Sequence, residues 1–432
     1  MIGLHPRTRD SCIAGFVAVL VILIIQQLAD VTEFHYDSGQ YWSLSEFRPF
    51  AEIPPGRRGY LYPLLLAPVN WLSQVMHGSK IPYRIASSLV YGIALSGFVT
   101  TFFLRVFKGE ATVARRLVVP VLVALIFPGL LLYPLSDLPA LLLIIAAISL
   151  AGGKRPSSVL HYAVIGALCY AAYNVRTIYL FPSLVLGTFL TLNARGAGCR
   201  AVAAALFLAG AGVLAVPQVL INNHLYGVNS PWVATFGKSS LMASQLRHGI
   251  AIDKYETSIS PSDPSPQVVY LSPGGRAILE SNRDFNVEPT VGKYLNIALH
   301  EPVYFLLAFL RHAIGGLDVR DGTVYVTVRS GDRDVWSAVH FAFLWLATVT
   351  MLLLVPWRSV KVLPIFLLLL PAILIIPGAV ETRFLLPAHL VLYGCVASQF
   401  GFEEFGRQLK RRPLAGLGIA DFMPRVLQYR RG

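Results

Sequence analysis

Asp37 is the residue of this sequence whose type and surroundings best suit general-base chemistry. It lies in the run YDSGQYW at 36–42, just beyond a long apolar stretch. An acid at the boundary between water and lipid is partly desolvated, and we expect this to raise its pKa. A carboxylate so placed can accept the proton of an incoming hydroxyl group. The alternative is a solvated loop acid whose aromatic neighbours anchor the chain at the membrane interface.

Further acids and guanidinium groups occur at the ends of later apolar stretches. Asp137 opens one stretch in the run SDLP, Arg176 lies in the run NVR, and Glu381 and Arg383 share the run ETRFLLP. Arg suits a phosphate because its forked donors match phosphate oxygens, and charges at membrane depth are costly enough to suggest a function. The alternatives are a helix-terminal acid at Asp137, favoured by the helix dipole, and a local ion pair between Glu381 and Arg383.

The elements that must position these groups are membrane-spanning helices. Of the 432 residues, 55% are apolar and only 14% are charged, against roughly 25% charged in an average soluble domain. These figures exclude a disordered chain and an ordinary cytosolic enzyme, and they fit an all-α polytopic membrane protein. Apolar runs and their polar breaks predict about ten transmembrane helices, at 12–29, 85–107, 117–133, 138–152, 158–174, 177–193, 201–222, 336–356, 361–378 and 382–400.

The apolar candidate at 301–318 decides the topology. If it lies in the membrane interface with Arg311 and His312 toward water, every strongly basic short loop falls on the inner side, as the positive-inside rule requires. We therefore predict ten crossings with both termini in the cytoplasm. The net charge of +13 is then a consequence of topology, and no nucleic-acid partner is needed to explain it.

Two long segments lie on the extracytoplasmic side in this topology, at 30–84 and 223–335. Chemistry is expected on that face, because the inner loops are short. The chain thus divides into three regions. These are a membrane region 1–222 with a catalytic first outer loop, an extracytoplasmic region 223–335 with the interfacial helix, and the last helices with a basic cytoplasmic tail at 336–432.

The extracytoplasmic region carries few recognisable signals. Tyr255, His248 and Lys254 are among its polar residues. The sequence contains no P-loop, no dinucleotide-binding fingerprint, no His-Glu-x-x-His and no Gly-x-Ser-x-Gly elbow. The four cysteines lie too far apart in sequence to indicate a disulfide framework or a zinc cluster.

These segments, in this order, resemble the GT-C superfamily of membrane glycosyltransferases, which use polyprenyl-phosphate-linked sugars. The nearest similarity is to the bacterial protein-O-mannosyltransferase-like and aminoarabinose-transferase-like branch. The similarity rests on YDSGQYW with the later run RRGYLYP, on SDLP, on NVR followed by Pro217, Asn222 and Gly227, and on ETRFLLP, which is similar to the family's Glu-x-Arg-Tyr-Leu-x-Pro. It covers roughly residues 12–232 and 336–400.

The resemblance implies a helical membrane domain with a cavity open to the outer face and to the lateral lipid. It implies transfer of a sugar from a lipid phosphate to a glycan, lipid or protein acceptor, in a bacterial inner membrane with the active site facing the periplasm. Asp37 would be the catalytic base of an inverting displacement. The implied substrate-binding residues are Arg57, Arg58, Tyr60, Tyr62, Asp137, Arg176, Glu381 and Arg383. By their position alone, Tyr255, His248 and Lys254 would shape the acceptor site.

The cofactor and two other functions stay open at this point. Many relatives place a second acid beside the loop Asp, where this chain has Ser38. A divalent metal is therefore an open question, and Glu33 replaces the missing acid only if the segment is helical. The alternative functions are an oligosaccharide polymerase or ligase of the cell envelope, and a flippase or transporter of lipid-linked sugars. A transporter predicts polar residues buried in the middle of spans and an internal duplication, but the spans are nearly free of charge and no duplication is present.

Overall fold

The computed structural model describes residues 6–46, 58–152, 159–194, 196–233, 241–259, 267–321, 324–325, 334–355 and 362–399. About 80% of the structure is helical. In the described part of the chain the α-helices are α1 (Pro6–Ala29), α2 (Tyr36–Leu44), α3 (Leu61–Val75), α4 (Ile81–Ile93), α5 (Thr100–Val106), α6 (Val113–Ile126), α7 (Pro128–Leu132), α8 (Asp137–Ala151), α9 (Val159–Val175), α10 (Leu180–Asn193), α11 (Ala197–Tyr226), α12 (Leu241–Ala251), α13 (Pro273–Ser281), α14 (Arg283–Val287), α15 (Val291–His300), α16 (Pro302–Leu317), α17 (Asp334–Leu354), α18 (Leu363–Ile375) and α19 (Leu386–Gln399). A π-helical turn at Ala94–Val99 joins α4 to α5, and 3₁₀ turns at Thr177–Tyr179 and Thr382–Leu385 precede α10 and α19.

Four helical stretches in the described residues are long and apolar enough to cross a membrane: Thr8–Ala29, Ile81–Val106, Ala197–Tyr226 and Asp334–Leu353. A fifth exists if α15 and α16, which are bent by 110° at their junction, form one span. Each of the ten predicted spans coincides with a helix or with consecutive helices. The remaining ones are shorter than the roughly 20 residues that a perpendicular crossing needs, so the count of ten crossings stays a prediction.

The long helices are apolar on their outer surfaces as well as on the faces that pack together. On α11, Leu208 is 66% exposed and Val213 is 70% exposed. A helix that borders water carries polar side chains on its outer face. Lipid contact explains an apolar outer face, and the structure is accordingly compatible with a membrane protein.

Glycines bring α9 and α11 into close contact. A Cβ atom on Gly166 would lie 1.9 Å from the carbonyl oxygen of Phe207, and one on Gly210 would lie 1.8 Å from that of Ala163. Small residues allow two backbones to approach in this way, as is common between membrane helices. This contact fixes the end of α9, where Arg176 follows.

The region 223–335 contains a two-stranded antiparallel sheet that the sequence analysis does not predict. Strand β1 (Ile252–Thr257) pairs with β2 (Gln267–Leu271), and Tyr255 lies opposite Val269. A separate cluster of buried apolar side chains lies entirely within this region, formed by Leu246, Ile250, Leu279, Phe285, Tyr294, Ile297 and Phe305.

The position of His312 on α16 contradicts one part of the sequence interpretation. The interfacial reading places Arg311 and His312 toward water, but His312 is fully buried and its Nδ1 lies 2.6 Å from the carbonyl oxygen of Ile376. Arg311 remains partly exposed and pairs with Asp253 of β1 at 3.0 Å. The reason is that α16 packs against β1 and against the turn before α19, which removes one of the two side chains from solvent.

Candidate active site

One cavity of about 460 Å³ collects side chains from distant parts of the chain. Its wall is built by the start of α2, the residues before α3, the start of α8, the turn between α9 and α10, strand β1 and the turn before α19. The charged residues in the lining are Asp37, Arg58, Asp137, Arg176 and Arg383. Five candidates from five separate sequence runs therefore meet in one place.

Asp37 lies in the first turn of α2, and arginines hold both oxygens of its carboxylate. Arg58 Nη2 donates to Oδ1, and Arg383 Nη2 donates to Oδ2 at 3.2 Å. Burial raises the pKa of Asp37, but the charges of Arg383 and Arg58 outweigh it and leave the pKa below its ordinary value. The expectation of a raised pKa is therefore wrong, because it took no account of two adjacent cations. The side chain remains 35% exposed, so a ligand in the cavity can contact it.

Arg58 reaches this carboxylate because the chain passes very close to α9 at Gly59. A Cβ atom on Gly59 would lie 1.9 Å from the carbonyl oxygen of Asn174, so the position requires glycine. Asn174 Oδ1 also accepts a hydrogen bond from the N–H of Leu61 at 2.9 Å. The guanidinium of Arg58 lies 4.8 Å from the ring centre of Tyr41, which is a cation–π contact. These contacts fix the direction in which Arg58 enters the cavity.

A chain of buried amides continues from Asn174 to the end of α11. Asn174 Nδ2 donates to Gln218 Oε1 at 2.9 Å, and Gln218 Nε2 donates to Asn222 Oδ1 at 3.0 Å. Asn222 Nδ2 donates to the carbonyl oxygens of Ser230 and Trp232. A buried network with its partners in place is rigid, so it holds this wall of the cavity.

Asp137 and Arg176 form a second ion pair in the lining, with Arg176 Nη1 2.7 Å from Asp137 Oδ1. Asp137 is the first residue of α8 and is only 3% exposed. Asp137 therefore lies at a helix terminus, as the alternative interpretation of this residue expects, and it also pairs with Arg176. Its second oxygen, Oδ2, is buried without a hydrogen-bond partner among the described residues, and a hydroxyl or amine of a ligand would satisfy it.

Glu381 and Arg383 form the local ion pair expected from their spacing, with Arg383 Nε 2.7 Å from Glu381 Oε2. The pair also serves the cavity, because the other end of the same guanidinium contacts Asp37. Glu381 is fully buried and does not line the cavity. It therefore orients Arg383 from behind, and its predicted contact with substrate is not supported by its position.

Aromatic rings lie beside the guanidinium groups. The ring centre of Phe384 lies 5.1 Å from Cζ of Arg176 and 5.5 Å from that of Arg383, and Tyr325 lies 5.8 Å from the latter. Tyr325 and the preceding Val324 have φ values of 57° and 59°, a region that residues other than glycine rarely occupy. Backbone strain of this kind concentrates at functional sites. The run TVYVTV at 323–328 alternates as a strand does in sequence, and this pattern gives no signal for a functional role of Tyr325.

The two tyrosines predicted to bind substrate lie outside the lining. Tyr60 donates to the carbonyl oxygen of Leu214 at 2.8 Å. Tyr62 is buried, with its ring centre 5.0 Å from that of Tyr41, which does line the cavity. Both tyrosines therefore support the wall and do not face the cavity. Arg57 lies outside the described residues.

Of the three residues expected to shape an acceptor site, Tyr255 alone lines the cavity. Lys254 contacts Asp321 at 2.9 Å, and His248 lies 3.1 Å from a guanidinium nitrogen of the neighbouring Arg247. The lining also includes Gln245 and Thr257, which the sequence analysis does not identify. Thr257 lies two positions after Tyr255 and therefore on the same face of β1. This relation can be used only once the segment is known to be a strand.

Metal-ligating side chains are sparse in the described part of the chain, where no group of three or more His, Cys, Asp or Glu is placed to hold a metal ion. Residues 31–35 are not helical and α2 begins at Tyr36, so Glu33 does not share a helix with Asp37. It therefore does not replace the acid missing at Ser38. A divalent metal stays an open question.

Comparisons of the chain with protein-family models, with curated proteins and with solved structures found no match.

Proposed function

We propose that this protein is an inverting glycosyltransferase that moves a sugar from a polyprenyl-phosphate donor to an acceptor hydroxyl on the extracytoplasmic face of a bacterial inner membrane. The observation that carries the proposal is the meeting of Asp37 with Arg58, Arg176 and Arg383 in one cavity of an apolar helical protein. The reaction needs a base for the acceptor and cations for the departing phosphate. Both kinds of group line the same cavity.

The donor phosphate binds to the three arginines. Arg presents several N–H donors in a plane and makes strong, charge-assisted hydrogen bonds to phosphate oxygens. The isoprenoid chain needs an apolar path beside them, and the cavity wall supplies Ile178, Pro371 and Ile375. The lipid therefore approaches along α18 and α10, which pack against each other, and its sugar faces Asp37.

Binding of the phosphate also activates Asp37. Both oxygens of the free carboxylate accept from guanidinium groups, and a carboxylate held by two cations is a weak base. The phosphate attracts the same guanidinium groups of Arg58 and Arg383. One oxygen of Asp37 is thereby released toward the acceptor, and its basicity rises because the compensating positive charge is now shared with the phosphate.

The transfer is a single displacement. Asp37 takes the proton of the acceptor hydroxyl while the acceptor oxygen forms a bond to the anomeric carbon. The bond between that carbon and the phosphate oxygen breaks, and its electron pair leaves with the polyprenyl phosphate. Attack opposite to the leaving group inverts the anomeric centre. The arginines stabilise the charge that develops on the phosphate, so no separate acid is required.

The size of the cavity favours transfer of one sugar. A volume of about 460 Å³ lies within the roughly 300–1,000 Å³ of small-molecule sites, whereas a polymerase or ligase must also accommodate a whole oligosaccharide. A flippase needs a path through the membrane for the polar head group, and the charged groups of this cavity are instead paired with one another. We therefore place single-sugar transfer before both alternatives.

The finer topology belongs to the same proposal. Ten crossings with both termini in the cytoplasm put the five runs that supply the charged cavity residues on the extracytoplasmic face, and α16 lies at the interface. The proposed chemistry uses guanidinium groups for charge compensation at Asp37 and Asp137. A divalent metal at Asp37 would compete with Arg58 and Arg383, which hold both oxygens of that carboxylate.

Mass spectrometry of envelope glycolipids and glycans tests the function directly. Three strains are compared, which lack the protein, carry the natural protein or carry Asp37→Asn. We expect one species to lack a single sugar residue both in the strain without the protein and in the Asp37→Asn strain. Identical profiles in all three strains would reject the proposal.

A further inference from the structure

Strand β1 separates the cavity from a second set of buried charges. Tyr255 and Thr257 lie on the cavity side of the strand, and Lys254 and Glu256 lie on the other side, as the alternation along a strand requires. Glu256 is fully buried and none of the functions considered so far uses it. Its contacts lead directly to the turn that carries Arg383.

Glu256 holds the turn before α19 through Thr382. The N–H of Thr382 donates to Glu256 Oε1 at 3.0 Å, and the Thr382 hydroxyl donates to the same oxygen. The adjacent N–H of Tyr255 donates to the carbonyl oxygen of Val380 at 2.9 Å. Two consecutive residues of β1 therefore attach the strand to Val380 and Thr382, on either side of Glu381.

The turn directs three neighbouring side chains to three different partners. Thr382 contacts Glu256, Glu381 contacts the Nε of Arg383, and the Nη2 of Arg383 contacts Asp37. The position of the guanidinium in the cavity therefore depends on the backbone at Thr382. A shift of this backbone would move Arg383 away from Asp37 and away from a phosphate.

A network of charges surrounds Glu256 on the side away from the cavity. Lys254 Nζ lies 3.9 Å from Glu256 Oε1, and it donates to Asp321 Oδ2 at 2.9 Å. Tyr270 of β2 donates to Asp321 Oδ1 at 2.7 Å. Glu256 Oε2 has no hydrogen-bond partner among the described residues. Burying an acid with one unpaired oxygen costs desolvation free energy that an apolar side chain of similar size would not cost. We therefore look for the role of Glu256 in the hydrogen bonds that its Oε1 accepts.

We propose that Glu256 is a positioning residue that fixes the Thr382 backbone and thereby sets the phosphate-binding geometry of Arg383. We call the two hydrogen bonds from Thr382 to Glu256 Oε1 the clamp. These bonds are seen in the structure, and their effect on the donor rests on the proposed function. Burial raises the pKa of Glu256 to about 8, although Lys254 lies nearby, so the group is mostly neutral at pH 7. A glutamine, which is neutral and of the same shape, can therefore accept both hydrogen bonds from Thr382 in its place.

Hydrogen exchange and donor binding test the clamp in the full-length protein in nanodiscs. The variants are Glu256→Leu, Glu256→Gln, Thr382→Val and Thr382→Ser, with Asp253→Leu as a control on the same strand that pairs with Arg311 instead of the turn. Mass spectrometry follows exchange in peptides that span 378–386, with peptides from α8 as reference. Titration with undecaprenyl phosphate, the part of the proposed donor that the arginines would bind and that leaves as product, gives its Kd.

Glu256→Leu is expected to speed exchange at 378–386 at least tenfold and to raise the Kd for undecaprenyl phosphate at least tenfold. Glu256→Gln, Thr382→Ser and Asp253→Leu should stay within threefold of the natural protein in both measurements, and Thr382→Val should be intermediate. Unchanged exchange in Glu256→Leu, or faster exchange with an unchanged Kd, would overturn the positioning role.

Two further outcomes separate this inference from the proposed function. If the natural protein does not bind undecaprenyl phosphate, the proposed donor is wrong, and exchange at 378–386 still decides whether Glu256 holds the turn. If Glu256→Leu does not fold, the comparison of Thr382→Val with Thr382→Ser decides, because these two variants differ in the hydroxyl that Glu256 accepts. Equal exchange rates in that pair would then overturn the clamp.

Discussion

Arg383 Nη2 lies 3.2 Å from Asp37 Oδ2, although 346 positions separate the two residues in the chain. The contact joins α2 to the turn before α19. Arg58 holds the other oxygen of the same carboxylate. The reactivity of Asp37 therefore depends on what else these two arginines bind.

Asp37→Asn should separate turnover from donor binding. Loss of the base should lower kcat by roughly 10²- to 10⁴-fold, which is the usual contribution of a positioned proton acceptor. The same change removes the anion that competes with phosphate for Arg58 and Arg383, so undecaprenyl phosphate should bind at least as tightly as before. Transfer assays in membranes and a binding titration measure the two effects.

Glu33→Gln is the matched control for this substitution. Glu33 is an exposed acid four positions upstream and does not line the cavity. It should retain full activity. Full activity in Asp37→Asn would remove the proposed base, and a loss of donor binding equal to the loss of turnover would contradict the competition between Asp37 and phosphate.

The pH dependence should differ between the free protein and the donor complex. In the free protein Arg383 and Arg58 outweigh burial and hold the pKa of Asp37 below its ordinary value of 3.8. In the complex the phosphate shares those charges, so burial dominates and the pKa rises. The acid limb of kcat, which reports the complex, should therefore lie at higher pH than the acid limb of kcat/KM for the donor. Coincident limbs would contradict activation by phosphate.

Arg383→Lys and Arg58→Lys should weaken donor binding more than acceptor binding. Lys keeps the charge but loses the forked geometry that spans Asp37 and a phosphate. Loss of one hydrogen bond to a charged group costs about 1.5–3 kcal/mol, which corresponds to roughly 10- to 150-fold in Kd. Steady-state kinetics with each substrate varied in turn measure the two effects separately.

Arg84→Lys serves as the control for the arginine variants. Arg84 also forms an ion pair with an acid of the same loop, Asp30, at 2.7 Å, but it does not line the cavity. It should leave both KM values unchanged. An equal rise in donor and acceptor KM for Arg383→Lys would indicate that the arginine only maintains the structure.

The positions of the long apolar helices and the importance of the charged cavity residues were predictable from sequence, for two physical reasons. Long apolar runs in a membrane protein must form helices, because only a helix satisfies the backbone hydrogen bonds within one segment. The charged groups stand out in the sequence because they occur at the ends of apolar runs. Of those predicted, Asp37, Asp137, Arg176 and Arg383 line the cavity.

The ionisation of Asp37 and the strand β1 were not predictable in the same way. The pKa of Asp37 depends on Arg58 and Arg383, and sequence gives no distances between such remote positions. The run IDKYET of β1 carries polar residues on both faces, because one face meets the cavity and the other meets the pair formed by Lys254 and Asp321. The alternation of polar and apolar residues that normally indicates a strand is therefore absent.

A reporter fused after Arg320 should indicate an extracytoplasmic position. The prediction follows from ten crossings with α16 at the interface, and it places the region 223–335 on the same side as the cavity. A fusion after Asn193, at the end of α10, should report the cytoplasm and serves as the control. A cytoplasmic signal after Arg320 would mean that α15 and α16 form a span, and the basic loop after α17 would then lie outside.

Raising the pH should destabilise the natural protein more than Glu256→Gln. Burial raises the pKa of Glu256 from 4.5 to about 8; Lys254 opposes this shift and Glu381 adds to it. A group whose pKa is higher in the folded than in the unfolded state stabilises the fold fully below the unfolded value, and this contribution disappears as the pH rises through the folded value. The stability of the natural protein should therefore fall between about pH 4.5 and pH 8 as Glu256 ionises.

Thermal unfolding of both proteins over this pH range measures the effect as a difference in Tm. Glutamine does not titrate, so the Tm of Glu256→Gln should fall less, and the two curves should diverge progressively up to about pH 8. Lys254, Asp321 and Glu381 are present in both proteins, so they contribute equally to the change of Tm with pH and do not affect the difference. Asp253→Asn, a change of acid to amide on the same strand, should follow the natural protein. Parallel curves for the natural protein and Glu256→Gln would mean that Glu256 is ionised over the whole pH range. Glutamine would then no longer be an equivalent acceptor for the hydrogen bonds from Thr382.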